Sequence, residues 1–131
     1  MTHPNLDVFK RAFAAFAAGD METLGQVFDD GVVWHYPGAN QLSGDHVGRD
    51  ATFAMFASEF ELTGGTLRPD LHDALASDDH VVALLHTTAQ RESGSLDQDL
   101  VLTFHISEGK ITEAWTLWTD PDAADAFWGN T

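Results

Sequence analysis

Apolar and polar residues alternate along the second half of the chain in four consecutive segments. These segments span residues 66–76, 80–91, 96–106 and 110–119, and the short stretches between them are rich in Gly, Asp and Ser. Alternation with a period of two is typical of strands with one buried face, and such turn residues close short hairpins. The pattern therefore predicts an antiparallel meander of four strands.

The first half of the chain has the spacing of amphipathic helices. In the first helix, apolar residues recur at intervals of three and four positions, at Leu6, Phe9, Phe13 and Phe16. Gly19 ends this pattern, and Asp20 is placed to cap a second short helix, which residues 29–31 end. Asp50 is placed to cap a third helix, which the glycine pair at 64–65 ends.

Two further elements complete the predicted order. Residues 32–36 form a β-branched and aromatic run that predicts a strand, and residues 121–128 predict a short terminal helix. No linker, repeat or low-complexity segment divides the chain, so we expect one domain over residues 1–131. Three N-terminal helices must then pack on one face of a strongly curved, mostly antiparallel sheet. This arrangement predicts an α+β fold with a hollow between the two layers.

The alternation within residues 96–106 predicts which face of the sheet meets the helices. The apolar face carries Leu100, Leu102, Phe104 and Ile106. The opposite face carries Asp97, Asp99, Val101, Thr103 and His105. In residues 110–119 two sets compete for the inner face, namely Ile111, Trp115 and Leu117 against Ala114, Thr116 and Trp118.

Both faces of the predicted sheet are apolar enough to be buried, whereas the helices suffice to cover only one. A second copy of the chain is the natural cover for the other face. We therefore expect a homodimer that buries the outer face. The residues expected in this interface are Val101, Thr103, His105 and Trp115, with His86 as a further candidate.

The composition narrows the possible functions. Six Lys and Arg against 21 Asp and Glu give a formal net charge of -15, which repels nucleic acid and anionic membrane surfaces. The longest apolar run falls far below the roughly 20 residues that span a bilayer, so we expect no membrane contact and a cytoplasmic location. The chain has no cysteine for disulfides or thiolate chemistry. Its seven histidines form no short metal-ligand spacing, so no metal site is expected.

Five short segments, in this order and spacing, resemble the SnoaL-like branch of the nuclear transport factor 2-like superfamily. They are AGD at 18–20, VWHYPG at 33–38, LSGDHVGRD at 42–50, SDDHVVAL at 77–84 and GKITEAW at 109–115. The resemblance implies a cone-shaped α+β barrel, dimerisation through the outer sheet face, a pocket for a small apolar molecule and no cofactor. It implies no single reaction, because relatives include isomerases, polyketide cyclases, epoxide hydrolases and proteins with no known chemistry.

The catalytic residues of the better-known relatives do not carry over to this chain. Where ketosteroid isomerases have their base Asp, this chain has Tyr36, and their oxyanion Tyr falls at Ala12. Their oxyanion Asp falls at Val101 or Leu102. The His and Asp of polyketide cyclases fall near Leu102 and Thr116. Neither mechanism is therefore implied for this chain.

Tyr36 is the first catalytic candidate, together with His35 or Asp120. The alternation along its strand places His35 on the outer face, so it reaches the hollow only if Pro37 distorts the strand end. Otherwise it is a structural or interface residue. Asp120 either caps the terminal helix or lies at the pocket rim. The residues expected to contact a ligand are Trp34, Tyr36, Phe16, Met55, Phe56, Leu102, Thr116 and Trp118.

Two classes of function remain open. An enzyme would perform proton transfer without a cofactor, in an isomerisation, cyclisation or hydrolysis. A binding or carrier module would need no ionisable group in the pocket. The missing family carboxylates favour the binding module, whereas the phenol and indole groups expected in the pocket support the enzyme.

Overall fold

The computed structural model describes residues 3–130, which form helices and strands in an α+β arrangement. The helices are α1 (Pro4–Ala18), α2 (Met21–Val27), α3 (Arg49–Leu62) and α4 (Pro121–Trp128). The strands are β1 (Phe28–Tyr36), β2 (Gly44–Val47), β3 (Arg68–Ala76), β4 (His80–Arg91), β5 (Gly94–Ser107) and β6 (Lys110–Trp118). Within this part of the chain, no helix has the length and apolar character needed to cross a bilayer.

The six strands form one sheet in the order β2-β1-β6-β5-β4-β3. All neighbours are antiparallel except β1 and β6, which run parallel and pair Trp34 with Ala114. The predicted meander is confirmed, because β3, β4, β5 and β6 follow one another as hairpins. β2, which pairs with β1, lies in a segment predicted as loop.

The helix termini follow the predicted chemistry in part. Gly19 ends α1 in the left-handed conformation, and the Asp20 side chain caps α2 by accepting a hydrogen bond from the Thr23 backbone N–H. The predicted cap at Asp50 is wrong, because α3 begins at Arg49 after Gly48 and has no side-chain cap. The predicted end of α2 at 29–31 is also wrong, since β1 already begins at Phe28.

The early start of β1 has a packing reason. Phe28 is 3% exposed, and its ring lies 5.8 Å from Phe53 and 5.9 Å from Phe56 of α3, measured between ring centroids. Burying a side chain of this size stabilises the fold by roughly 1.5–3 kcal/mol. This gain favours an extended backbone at Phe28 over another turn of α2.

The helices cover one face of the sheet, and α1 and α3 pack across its concave side. Leu100, Phe104 and Ile106 are buried there, as the alternation predicts. In β6, Thr116 and Trp118 are buried whereas Leu117 is 48% exposed, which decides between the two sets left open by the sequence. A bulge between β5 and β6 also buries Ile111.

Polar contacts hold α4 against the sheet and the loop after β1. Asp120 caps α4 by accepting from the Ala123 backbone N–H. The Asp125 carboxylate accepts from the Ala39 backbone N–H and from the Asn40 side chain. Gly38 has a φ of 87°, and a Cβ at this position would lie 2.2 Å from Asp125 Oδ1. Only glycine therefore allows this approach.

Candidate functional site

A cavity of about 80 Å³ lies between the helices and the concave face of the sheet. This volume is several times the space of about 10–15 Å³ that one water molecule requires. Eight aromatic side chains contribute to its wall, namely Phe9, Phe13, Phe16, Phe28, Trp34, Phe56, Phe104 and Trp118. The wall of the cavity is therefore largely apolar and aromatic.

Most polar side chains near the cavity are already paired with one another. Trp34 Nε1 donates a hydrogen bond of 2.8 Å to Thr116 Oγ1, and both residues line the wall. Trp118 Nε1 donates to the Tyr36 hydroxyl at 3.2 Å. These bonds join β1 to β6 and satisfy two indole groups that burial would otherwise leave without an acceptor.

Two buried polar atoms have no hydrogen-bond partner within residues 3–130. They are Thr87 Oγ1 and Trp128 Nε1. Thr87, on β4, also lines the cavity and is 1% exposed. A buried polar group without a partner costs about 1–3 kcal/mol, so these atoms retain unused hydrogen-bonding capacity inside the fold.

Glu59 is the one charged side chain in the described wall of the cavity. It lies on α3, one turn after Phe56, and therefore on the same face of the helix. The residue as a whole is half-buried and lines the cavity, and its carboxyl group is buried enough for burial to be the cause of its shifted pKa. No hydrogen bond or ion pair within the described residues satisfies this carboxyl group.

Burial raises the pKa of the Glu59 carboxyl group from its usual value near 4.5 to about 8. Burial also raises the pKa of Tyr36 well above its usual value, and the nearby Glu59 charge adds to this effect. A carboxyl group with a pKa this close to neutrality exists in both protonation states at physiological pH. It is chemically suited to give or take a proton.

Glu59 is absent from the site residues predicted from the sequence. The available signal was its position three residues after Phe56, which places it on the apolar side of α3. A glutamate at such a position is usually solvated at the helix edge, because burying a carboxylate is costly. The tertiary packing places this one in the wall of a cavity that residues of α1 and the sheet also line.

The structure brings most of the predicted ligand-contacting residues to the cavity. Those in its wall are Phe16, Trp34, Phe56, Leu102, Thr116 and Trp118. Tyr36 and Met55 are buried, at 5% and 3% exposure, and are not among the residues that line the cavity. Tyr36 meets the wall through its hydrogen bond with Trp118. Contact of these residues with a ligand stays a prediction.

His35 lies on the outer face of the sheet. Its Nδ1 is 2.7 Å from Asp45 Oδ1, its Nε2 is 2.5 Å from Glu113 Oε2, and its ring stacks on Trp115. The hydrogen bond with Glu113, followed by that with Asp45, raises the pKa of His35. Pro37 does not turn His35 inward, because the alternation of β1 continues to its end at Tyr36.

Asp120 is likewise not part of the cavity wall. Its carboxylate caps α4, and its backbone carbonyl accepts a hydrogen bond from Gln98. Of the two roles that the sequence left open for Asp120, its contacts are those of a helix cap. The structure separates both His35 and Asp120 from Glu59 and the cavity.

The outer face carries a second histidine between carboxylates. His86 Nε2 lies 2.6 Å from Asp97 Oδ1 and His86 Nδ1 lies 2.8 Å from Asp99 Oδ1, which raises the pKa of His86. The Asp97 and Asp99 pair thus binds a histidine of the neighbouring strand. Within residues 3–130, no group of three or more His, Asp or Glu side chains is arranged to hold a metal ion.

Comparisons with known proteins identify relatives over nearly the whole chain. The family model described as the SnoaL-like domain matches residues 9–114. An uncharacterized protein of Mycobacterium tuberculosis is 34% identical over 125 residues, which are 95% of either chain. Bal32a, from a soil-derived mobile gene cassette, shares 37% identity and a TM-score of 0.92, with 95% of this chain and 96% of that chain covered.

A more distant structure supports the fold alone. It is an NTF2-like protein from Burkholderia xenovorans, which is 22% identical and has a TM-score of 0.81. The match covers 96% of this chain and 98% of that chain. Together with the family model, it confirms the resemblance drawn from the five sequence segments.

Proposed function

Because the chain belongs to the SnoaL-like domain family and the described wall of its cavity carries one carboxyl group, we propose that it binds a small, largely apolar molecule there and that Glu59 exchanges a proton with this molecule. The reaction would be an isomerisation, cyclisation or hydrolysis that needs no cofactor. The observation that carries this proposal is the position of Glu59, enclosed among aromatic side chains with its pKa raised to about 8.

The physical reason lies in the balance between two protonation states. With a pKa of about 8, roughly one Glu59 carboxyl group in ten is ionised at pH 7 and the rest are protonated. General acid–base catalysis is most effective when the pKa lies near the working pH, and it contributes typically 10²–10⁴-fold in rate. A surface glutamate with a pKa near 4.5 would lack a proton to donate.

A second candidate function is binding without catalysis. It is favoured by the absence of any hydrogen bond that would orient the Glu59 carboxyl group within the described residues. Catalytic bases are commonly fixed by a third group, and within residues 3–130 neither Tyr36 nor Thr116 donates a hydrogen bond to this carboxyl group. In this case Glu59 would contact the ligand and do no chemistry.

Deuterium exchange separates the two functions without knowledge of the natural substrate. The α-hydrogens of an apolar ketone such as 1-tetralone exchange with D2O when a base removes them, and NMR measures the rate. We expect the protein to accelerate this exchange and Glu59→Gln to lower the acceleration by at least about hundredfold. Glu61→Gln, exposed two residues later on α3, is the matched control and should leave the rate unchanged.

The same samples report binding through the emission of Trp34 and Trp118 in the cavity wall. Ketone binding without accelerated exchange would favour the non-catalytic function. If no apolar ketone of a size suited to the cavity alters the emission at millimolar concentration, the cavity is a packing defect of the core and the proposal fails.

We also propose that the chain forms a homodimer through the outer face of the sheet. Trp115, Leu117, Thr103 and His80 line a shallow depression on this face. Leu117 is 48% exposed beside the indole of Trp115, on a face that no described helix covers. Light scattering at micromolar concentration should give twice the mass of one chain, and Leu117→Asp should halve it. A wild-type mass near that of a single chain would refute the dimer.

A further inference from the structure

The rings around Glu59 form an aromatic enclosure. The Phe56 ring centroid lies 5.1 Å from that of Phe16 at an interplanar angle of 83°, and 5.2 Å from that of Trp34 at 90°. At these separations the rings touch, and because their planes differ, the wall that they build can offer ring faces as well as edges to the cavity. The face of an aromatic ring carries negative electrostatic potential and attracts cations. Glu59 follows Phe56 by one turn of α3, so its carboxyl group and these rings border the same space.

The charges near this space are unbalanced. Among residues 3–130 Glu59 has no cationic partner, and no Lys, Arg or His belongs to the described wall of the cavity. The whole chain has a formal net charge of -15, which attracts cations and repels anions at long range. An anionic ligand would meet repulsion from the ionised form of Glu59, and a neutral hydrocarbon would leave the carboxyl group without a partner in either protonation state.

We propose that the ligand of this cavity is an apolar molecule with a cationic nitrogen, such as an alkylated amine, whose charge pairs with the Glu59 carboxylate and lies against the rings of Phe16 and Phe56. This inference rests on the proposed binding function and specifies its ligand class. The aromatic rings supply cation–π contacts, which gain strength where water is excluded. The ligand in turn supplies the counter-charge that the described part of the chain does not provide for Glu59.

Proton release accompanies the binding of such a ligand. Burial keeps Glu59 mostly protonated at neutral pH, because its pKa is raised to about 8. A permanent cation pairs with the ionised form, so its affinity should rise with the ionised fraction, by up to about ninetyfold between pH 6 and pH 9.

Tyr36 is the titratable group affected by the Glu59 charge. The wall residues from α1 and the strands are apolar or carry hydroxyl or indole groups, such as Thr87 and Trp118.

Two probes of nearly equal shape test the proposal, because they differ mainly in charge. They are phenyltrimethylammonium and tert-butylbenzene, with binding followed by tryptophan emission and by calorimetry in two buffers. At pH 8.5 we expect the ammonium ion to bind at least about tenfold more tightly than the hydrocarbon. When the titration is repeated near pH 7, binding of the ammonium ion should release a proton from Glu59. Its affinity should rise from pH 6 to pH 9, whereas that of tert-butylbenzene should not.

Variants locate the effect. Glu59→Gln should abolish the preference for the ammonium ion and its pH dependence while keeping tert-butylbenzene binding, which also shows that the variant is folded. Phe56→Leu should weaken the binding of the ammonium ion more than that of the hydrocarbon. Glu61→Gln should leave both affinities unchanged. Equal or tighter binding of tert-butylbenzene to the wild-type protein would overturn the cation inference and leave the proposed apolar binding function intact. If neither probe binds, the inference and the binding function fail together.

Discussion

Glu59→Gln should make the protein more stable, and by an amount that depends on pH. The raised pKa of Glu59 means that the folded state keeps the proton up to about pH 8, whereas the unfolded chain loses it near pH 4.5. Between these values the unfolded state binds fewer protons, so the free energy of unfolding falls as the pH rises. Glutamine has nearly the same shape and no charge, and it removes this dependence.

The magnitude follows from the difference in pKa. Each pKa unit corresponds to about 1.36 kcal/mol. At pH 7, about 2.5 units above the usual pKa, the carboxyl group costs the folded state roughly 3 kcal/mol, and at pH 9 roughly 5 kcal/mol. Near pH 4.5 the two proteins should have nearly equal stability. This cost is a substantial part of the 5–15 kcal/mol that typically holds a domain folded.

Urea unfolding followed by tryptophan emission measures this effect at pH 5, 6, 7, 8 and 9. The quantity of interest is the difference between Glu59→Gln and wild type, because both proteins share all other titrating groups, including His35 and His86. Glu61→Gln removes the same formal charge from an exposed position of α3 and controls for the net charge. A difference that stays constant from pH 5 to pH 9 would refute the enclosed position of the Glu59 carboxyl group.

Three further changes test the surroundings of the site. Gly38→Ala should lower stability by about 2 kcal/mol or more in thermal unfolding, because its Cβ would clash with Asp125, whereas Gly19→Ala, in open space at similar φ, should cost about 1–2 kcal/mol. Tyr36→Phe should cost about 1–3 kcal/mol in urea unfolding, because it leaves the Trp118 N–H buried without its acceptor; an unchanged stability would contradict that hydrogen bond. The pKa of His35 is raised in the folded state, so its contribution to stability is present below pH 6.5 and is lost as the pH rises through the raised pKa. His35→Gln should therefore destabilise the protein more at pH 5.5 than at pH 8.5, and an equal effect at both would show that its carboxylate contacts contribute nothing.

The sequence predicts the sheet well because the physical signal is local. The period-two alternation and the turn residues fix β4 at His80–Arg91 and α4 at Pro121–Trp128, with the same bounds as in the structure. The inner face of β5 also follows from parity. In β6 both faces are apolar, and a bulge near Ile111 changes which side is buried, so parity alone could not decide there.

The elements that were missed depend on contacts that are distant in sequence. β2 has mostly exposed residues and becomes a strand because it pairs with β1, which leaves no periodic pattern to detect. The start of α3 at Arg49 depends on Gly48, whose φ is 92° and whose N–H bonds to the Val32 carbonyl. The pattern of helices and strands predicts the hollow between the layers. The catalytic positions of the family relatives fall at Tyr36, Leu102 and Thr116 but not on α3, so neither the pattern nor the resemblance predicts Glu59.

The parallel pairing of β1 with β6 has a consequence for how the chain reaches its fold. The bond from Trp34 to Thr116 joins residues 82 positions apart, whereas the hairpins of β3 to β6 join near neighbours. Closing the long loop requires more chain entropy to be lost before any contact forms, so such pairings slow folding. During synthesis, β1 has no parallel neighbour until the last strand leaves the ribosome. The cavity wall is therefore assembled late, when the aromatic residues of the N-terminal half pack against the C-terminal meander.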